Sequence, residues 1–180
     1  MGVAYKILPH YTYEDYCVWE GRWELIDGIP YAMSPMPRPE HQKIAANVNA
    51  EFRNALRKAK CNCNIYQPID YKISEDTILN PDLLIVCKPI TKQFLDFPPS
   101  LVVEILSPAT ALKDRHTKFE IYQHQKIPYY LILDGDNKEV EIYNLSESLS
   151  YQKLVLNQQE PFAFSIDNCS FNVTFANIWN

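Results

Sequence analysis

Glycine is scarce, four in 180 residues, so the glycine-rich loops that wrap nucleotide phosphates are absent, and no Gly-x-Ser-x-Gly nucleophile elbow occurs. Long apolar runs are missing as well. None approaches the ~18 to 20 residues of a membrane-spanning helix, and the start, Met1-Gly2-Val3-Ala4-Tyr5-Lys6, lacks the charged and apolar segments of a secretory signal. The cytoplasm is the expected location. Five cysteines stand at scattered positions, Cys17, Cys61, Cys63, Cys87 and Cys169; the odd count and irregular spacing do not look like a disulfide framework and suit a reducing compartment. Cys61-Asn62-Cys63 is too tight for a zinc knuckle and has no partner pair. Repeats, low-complexity stretches and linkers are absent, which predicts one domain over residues 1–180. Positive charge is in deficit: 17 Lys and Arg against 22 Asp and Glu give a net charge of -5. That opposes non-specific nucleic-acid binding unless the basic residues gather locally. Two gatherings exist, Arg53, Arg57, Lys58 and Lys60, then Lys113, Arg115, His116, Lys118, His124 and Lys126, and each has solvated helix surface as its plain alternative.

What is present is the balance of a globular domain, 47% hydrophobic and 22% charged. Arg22 to Met33 reads as two short apolar runs joined by Asp27-Gly28, a strong hairpin signal. Ser34 to Pro39 holds three prolines and excludes helix. From Glu40 to Lys60, Ile44, Ala45, Val48, Phe52, Ala55 and Leu56 recur at helical spacing, with Arg and Lys crowding the C-terminal turns. Asn64 to Ser74 reads as a strand. Pro81 to Cys87 and Leu101 to Leu106 are near-continuous apolar runs of the kind buried on both faces of a sheet. Ser107-Pro108 offers a helix start, with helix running to about Gln125. Tyr129 to Asp134 and Lys138 to Leu145 form a second hairpin, and short strands are expected around Lys153 to Leu156 and Phe162 to Ile166. This order predicts an α/β fold, a central mixed sheet flanked by helices with an N-terminal hairpin and a C-terminal β extension.

Glu104 is the chemical oddity, a carboxylate in the middle of an apolar strand, where an unpaired charge costs several kcal/mol. Two compensations are open. One is a buried salt bridge or protonation; the other is a metal ion, which favours oxygen ligands. Asp82 opens the neighbouring strand and is the natural second ligand for magnesium, which takes one or two carboxylates and leaves its other positions to water and phosphate. The spacing alone is a weak signal.

The blocks Trp23-Glu24-Leu25-Ile26-Asp27-Gly28, His41-Gln42, Pro81-Asp82, Leu101 to Pro108, Asp114 through Lys118 to Tyr122, Pro128-Tyr129-Tyr130 and Leu133-Asp134 together resemble a bacterial restriction endonuclease family, formerly a domain of unknown function, in the PD-(D/E)XK nuclease superfamily. The match runs in order from about Tyr13 onward. It implies a PD-(D/E)XK core in which Asp82 and Glu104 bind Mg2+ or Mn2+ and a lysine positions or activates the attacking water. The superfamily's Glu-x-Lys lysine is missing here, since Leu106 stands in its place; Lys118 on the following helix matches the family's lysine. Asp114, Lys118 and Tyr122 recur every four residues and share a helix face; a surface Asp114–Lys118 ion pair with Tyr122 merely packing is the alternative. Glu24 matches the family's leading acidic position, with an exposed hairpin residue as alternative. His41 and Tyr122 are candidate substrate contacts. The implied function is metal-dependent hydrolysis of DNA, with an inactive nuclease-fold binding module as the rival. A domain of this size has little surface to grip a duplex, and cutting two strands with one site per chain predicts a homodimer.

Overall fold

The computed structural model describes residues 8–33, 37–108 and 110–180. The chain's start at Met1 to Lys6 and the first half of the proline-rich stretch from Ser34 lie outside the described residues. A helical turn α1 (Tyr13–Tyr16) precedes strands β1 (Trp23–Ile26) and β2 (Ile29–Ala32). Their turn takes positive φ at both central residues, Asp27 at 49° and Gly28 at 74°, which matches the twist that tight hairpins require. Next comes α2 (Pro39–Lys58), so Pro39 is helical after all: it occupies the first helical position, where no amide donor is needed.

Six strands, β3 (Asn64–Tyr66), β6 (Leu83–Val86), β7 (Leu101–Ile105), β8 (Tyr129–Asp134), β9 (Glu139–Leu145) and β10 (Tyr151–Lys153), form the main sheet in the order β10-β9-β8-β7-β6-β3. Only β7 and β8 run parallel; the sheet is mixed, as predicted. Alternation splits its side chains between two cores. Leu83, Ile85, Leu101, Val103, Leu131 and Leu133 pack against Ile44, Val48, Phe52 and Leu56 of α2. On the other face lie Leu84, Val86, Val102, Tyr130 and Ile132, covered by Tyr122 and Ile127. Glu104 shares that second face because its position is even-numbered with Val102.

The segment predicted as one strand from Asn64 to Ser74 is two. After β3, the chain leaves the main sheet and β4 (Tyr71–Lys72) joins β5 (Ile78–Leu79) in a second sheet of order β2-β1-β5-β4. The helix predicted from Ser107 begins later, as α3 (Ala111–Lys113); the amides of Thr110 and Ala111 both donate to the Ser107 carbonyl ahead of it. It then widens into a π-helical turn (Asp114–Lys118) before α4 (Phe119–His124). The C-terminal extension is a hairpin of β11 (Phe162–Ile166) and β12 (Cys169–Val173), followed by a 3-10 turn (Phe175–Trp179) against α2. The aromatic rings of Phe164, Phe171 and Phe175 gather around Phe52; Phe52→Ala would cost roughly 3 to 5 kcal/mol.

The cysteine reading needs correction. Cys61 pairs with Cys169 and Cys63 with Cys87 in disulfides, leaving Cys17 free. The partners are 108 and 24 positions apart, a pairing that only the fold reveals.

Candidate functional site

The strand register sets the site. Leu83 faces Val103 across antiparallel β6 and β7, so the continuing register brings Asp82, one residue before β6, opposite Glu104. Asp82 Oδ2 accepts the Ile105 amide at 2.8 Å and lies 3.2 Å from His41 Nε2 on the first turn of α2. Burial lowers the pKa of His41, but the hydrogen bond and charge of Asp82 outweigh it and the net direction is upward.

Four charged side chains are withdrawn from water beside this pair: Glu24 at 0% exposure, Glu104 and Lys118 at 2%, and Asp114 at 1%. Lys118 sits among the carboxylates. Its Nζ is 2.8 Å from Glu24 Oε1, 2.8 Å from Glu104 Oε1 and 3.4 Å from Asp114 Oδ1. Glu24, on β1, reaches the cluster from the second sheet and also pairs with Lys113. The Tyr122 hydroxyl donates to Glu104 Oε1 at 2.7 Å. The helix face predicted from Asp114, Lys118 and Tyr122 therefore exists and turns inward, so the alternative of a solvated ion pair falls. So does the exposed-hairpin alternative for Glu24. The π-helical turn carries Asp114 and Lys118, and Tyr130 on β8 donates its hydroxyl to the Asp114 carbonyl at 2.9 Å; such turns recur at functional sites.

By formal charge these side chains do not balance one another. Four carboxylates, Glu24, Asp82, Glu104 and Asp114, share two lysines and one histidine. Burial raises the Glu104 pKa well above its usual range; Lys118 opposes the rise and Asp114 adds to it. Asp114 is raised for the same reason, burial. For Glu24, burial pushes upward, but Lys118 and Lys113 prevail and the pKa is lowered. Lys118 is desolvated too, yet Glu104, Glu24 and Asp114 hold it protonated, well above the ordinary lysine range. Asp114 Oδ1 is buried with the 3.4 Å ion-pair contact to Lys118 but makes no hydrogen bond among the described residues.

This surplus of negative charge fits a divalent cation. Among the described residues no three acidic, histidine or cysteine groups already surround a metal position, since the Lys118 ammonium holds the centre. A magnesium ion needs only one or two protein carboxylates. The hydrogen bonds to Asp82 and Glu104 use Oδ2 and Oε1, and both residues line an open cleft of about 720 Å³. The donor set is therefore compatible with Mg2+ or Mn2+ held through Asp82 and Glu104.

Basic side chains line the cleft although the chain is acidic. Arg22, Arg38, His41, Lys113, His116 and Lys118 line it together with Asp82, Glu104 and Asp114. Of the second predicted basic gathering, Lys113 and Lys118 turn into the site, while Arg115 pairs with Glu141 on the surface. Sequence reasoning missed Asp114 as a fourth carboxylate, Lys113 as the partner of Glu24, and Arg22 and Arg38 as cleft residues. The four-residue recurrence of Asp114 was the one available signal.

A mixed sheet with helices on its faces carries the carboxylate–lysine cluster at adjoining strands, and the fold is shared with a solved structure. A crystal structure described as a "putative nuclease" from Anabaena variabilis superposes with a TM-score of 0.74 at 13% identity, covering 93% of this chain and 97% of that one. Residues 12–167 match the Uma2 family, described as "Putative restriction endonuclease", and the chain belongs to that family. An uncharacterized protein, slr1290, from Synechocystis sp. is 30% identical over 159 residues, 84% of this chain and 82% of its own length. No helix among the described residues is long and apolar enough to cross a membrane.

Proposed function

We propose that this chain is a metal-dependent endonuclease that hydrolyses phosphodiester bonds in DNA, with Asp82 and Glu104 holding Mg2+ or Mn2+. The observation that carries the reading is a carboxylate-rich cluster at the floor of a cleft walled by arginine and histidine: the floor suits a cation and the walls suit phosphates. When bound, the cation supplies Lewis-acid polarisation of a phosphoryl oxygen and of water.

The chain's own groups do the rest. Arg22, Arg38 and His116 lie on the cleft walls, where they attract and orient the phosphate backbone. Lys118 stays protonated and sets a fixed positive charge beside Glu104, where negative charge grows as the phosphorus is attacked. Tyr122 and Lys118 fix the Glu104 carboxylate from one side, and the Ile105 amide and His41 fix Asp82, so neither needs to reorganise during reaction. Glu24 holds Lys118 and Lys113 in place, making it a positioning residue. We further propose that the active particle is a homodimer, since each chain of 21.0 kDa offers one cleft and duplex cleavage needs two. Light scattering should return about twice the chain mass, and a monomer at micromolar concentration would refute this.

The same ammonium-centred cluster also suits a structural charge network, which favours a second reading, a nuclease-fold module that binds without cutting. Nicking of supercoiled plasmid with Mn2+ separates the two. Wild type should nick, and Asp82→Asn and Glu104→Gln should each lose ~10²-fold or more, the scale of losing a principal electrostatic group. Absence of nicking by wild type across duplex and single-stranded DNA would support the binding module.

A further inference from the structure

Beside the cleft lies a second recess of about 460 Å³, walled by Tyr13, Tyr16, Trp19 and Trp23 and floored by Asp70 and Asn80; Arg22 lines both it and the cleft. We propose that this recess binds an unpaired nucleobase of the strand whose phosphate occupies the cleft. The proposal rests on the nuclease reading and adds a substrate class to it, DNA with single-stranded or extruded nucleotides next to the cut.

Three observations converge. The aromatic side chains are only half-buried, although Trp19 touches the rings of Tyr11, Tyr16 and Trp23 at centroid distances of 5.3, 5.7 and 5.5 Å. A cluster of large, half-buried rings lining a recess beside a cleft with basic walls has the composition of single-strand sites, where bases stack on Tyr and Trp and a basic residue tracks the backbone. Paired bases hide their faces within the helix, so only an unpaired base can enter.

The floor is polar and ordered. Asp70 Oδ1 accepts the Tyr16 hydroxyl at 2.8 Å and the Asn80 amide at 3.1 Å. The carboxylate suits the N–H donors on a base edge. Arg22 donates to the Asn80 side chain and keeps further guanidinium donors for a phosphate.

Finally, the recess and the acidic cluster share a residue. The Asn80 backbone amide donates to Glu24 Oε1 at 3.1 Å. The floor of the recess and the carboxylate that positions Lys118 are thus joined through Asn80.

The test uses the 180-residue chain carrying Glu104→Gln, so that probes survive, and fluorescence anisotropy with two labelled DNAs: a duplex of about 20 base pairs and the same duplex with a short unpaired flap. Stacking of one base predicts roughly 10-fold tighter binding of the flap probe. Trp19→Leu should abolish that preference while leaving duplex affinity unchanged, and Trp19→Phe, which keeps a ring, should retain most of it. Equal affinity for both probes, or a preference that survives Trp19→Leu, overturns the proposal while leaving the nuclease reading intact. If Trp19→Leu fails to fold, equal affinity of the Trp19→Phe protein and its parent for the two probes overturns it in the same way. Failure of both probes to bind, together with absence of nicking by wild type, overturns the nuclease reading and the recess with it.

Discussion

Lys118→Met isolates the electrostatics of the cluster. The Lys118 ammonium contacts Glu24, Glu104 and Asp114, and all four groups are buried. Methionine keeps the stem and removes the charge. Glu24 retains Lys113, but Glu104 and Asp114 lose their ammonium partner. Breaking a buried pair costs ~3 to 5 kcal/mol, a large share of the ~5 to 15 kcal/mol that holds a domain folded. For a chain of this length that lowers the melting temperature by roughly 6 to 20 °C. Protonation of an orphaned carboxyl relieves the cost, which fixes the pH dependence. Burial already raises the Glu104 pKa, with Lys118 opposing, and losing Lys118 raises it further. The folded variant then binds more protons than the unfolded chain, so stability present at low pH is lost as pH rises toward the folded pKa. One such group changes stability by at most ~1.4 kcal/mol per pH unit, or ~2.7 kcal/mol between pH 6 and 8. Urea unfolding of both proteins at pH 6 and 8, with EDTA and with Mg2+, measures this. The gap should widen with pH and narrow with Mg2+. A melting temperature within 2 °C of wild type at both pH values would place Lys118 on a solvated surface and refute the cluster.

Glu104→Gln should leave metal-free stability equal or raised, because it removes a costly buried charge, while nicking falls by ~10²-fold or more; a large loss of stability in EDTA would show that Glu104 is needed for the Lys118 pairing alone. Glu141 responds to acid in the opposite sense: burial favours its neutral form, yet Lys153, Tyr143 and Arg115 prevail and hold it at about 2. Its stabilisation is present above the unfolded carboxylate range and lost as pH falls toward 2, so Glu141→Gln should flatten the decline in urea midpoint between pH 4.5 and 2.5, and an unchanged slope would contradict the assignment. Alkylation of denatured, unreduced protein should label Cys17 alone, with four more sites after reduction; labelling of all five without reductant would refute the disulfides.

The parts of the fold legible in the sequence are those fixed by local pattern. The Asp27-Gly28 turn, the α2 periodicity and the apolar runs of β6, β7 and β8 each state their structure within a few residues. The two-residue strands β4 and β5 do not, because pairing across the second sheet, β5 with β1 and β4 with β5, rather than local propensity creates them. Glu104 was conspicuous as a charge among apolar neighbours. Asp82 was legible as its partner from its place at the head of the neighbouring apolar run and from the family resemblance, but the register that sets the two opposite each other is not fixed by sequence spacing. Asp114 and Lys113 were harder still, since their burial depends on a π-helical turn and on Glu24 arriving from a second sheet. The disulfide partners were hidden for the same reason.

The most direct test of the account is a calorimetric Mn2+ titration of wild type, Asp82→Asn and Glu104→Gln at pH 7.5. The account predicts that wild type binds and that each substitution weakens binding by ~10-fold or more, as expected when one of two protein ligands is lost. Equal binding by all three proteins would contradict it and remove the metal from Asp82 and Glu104.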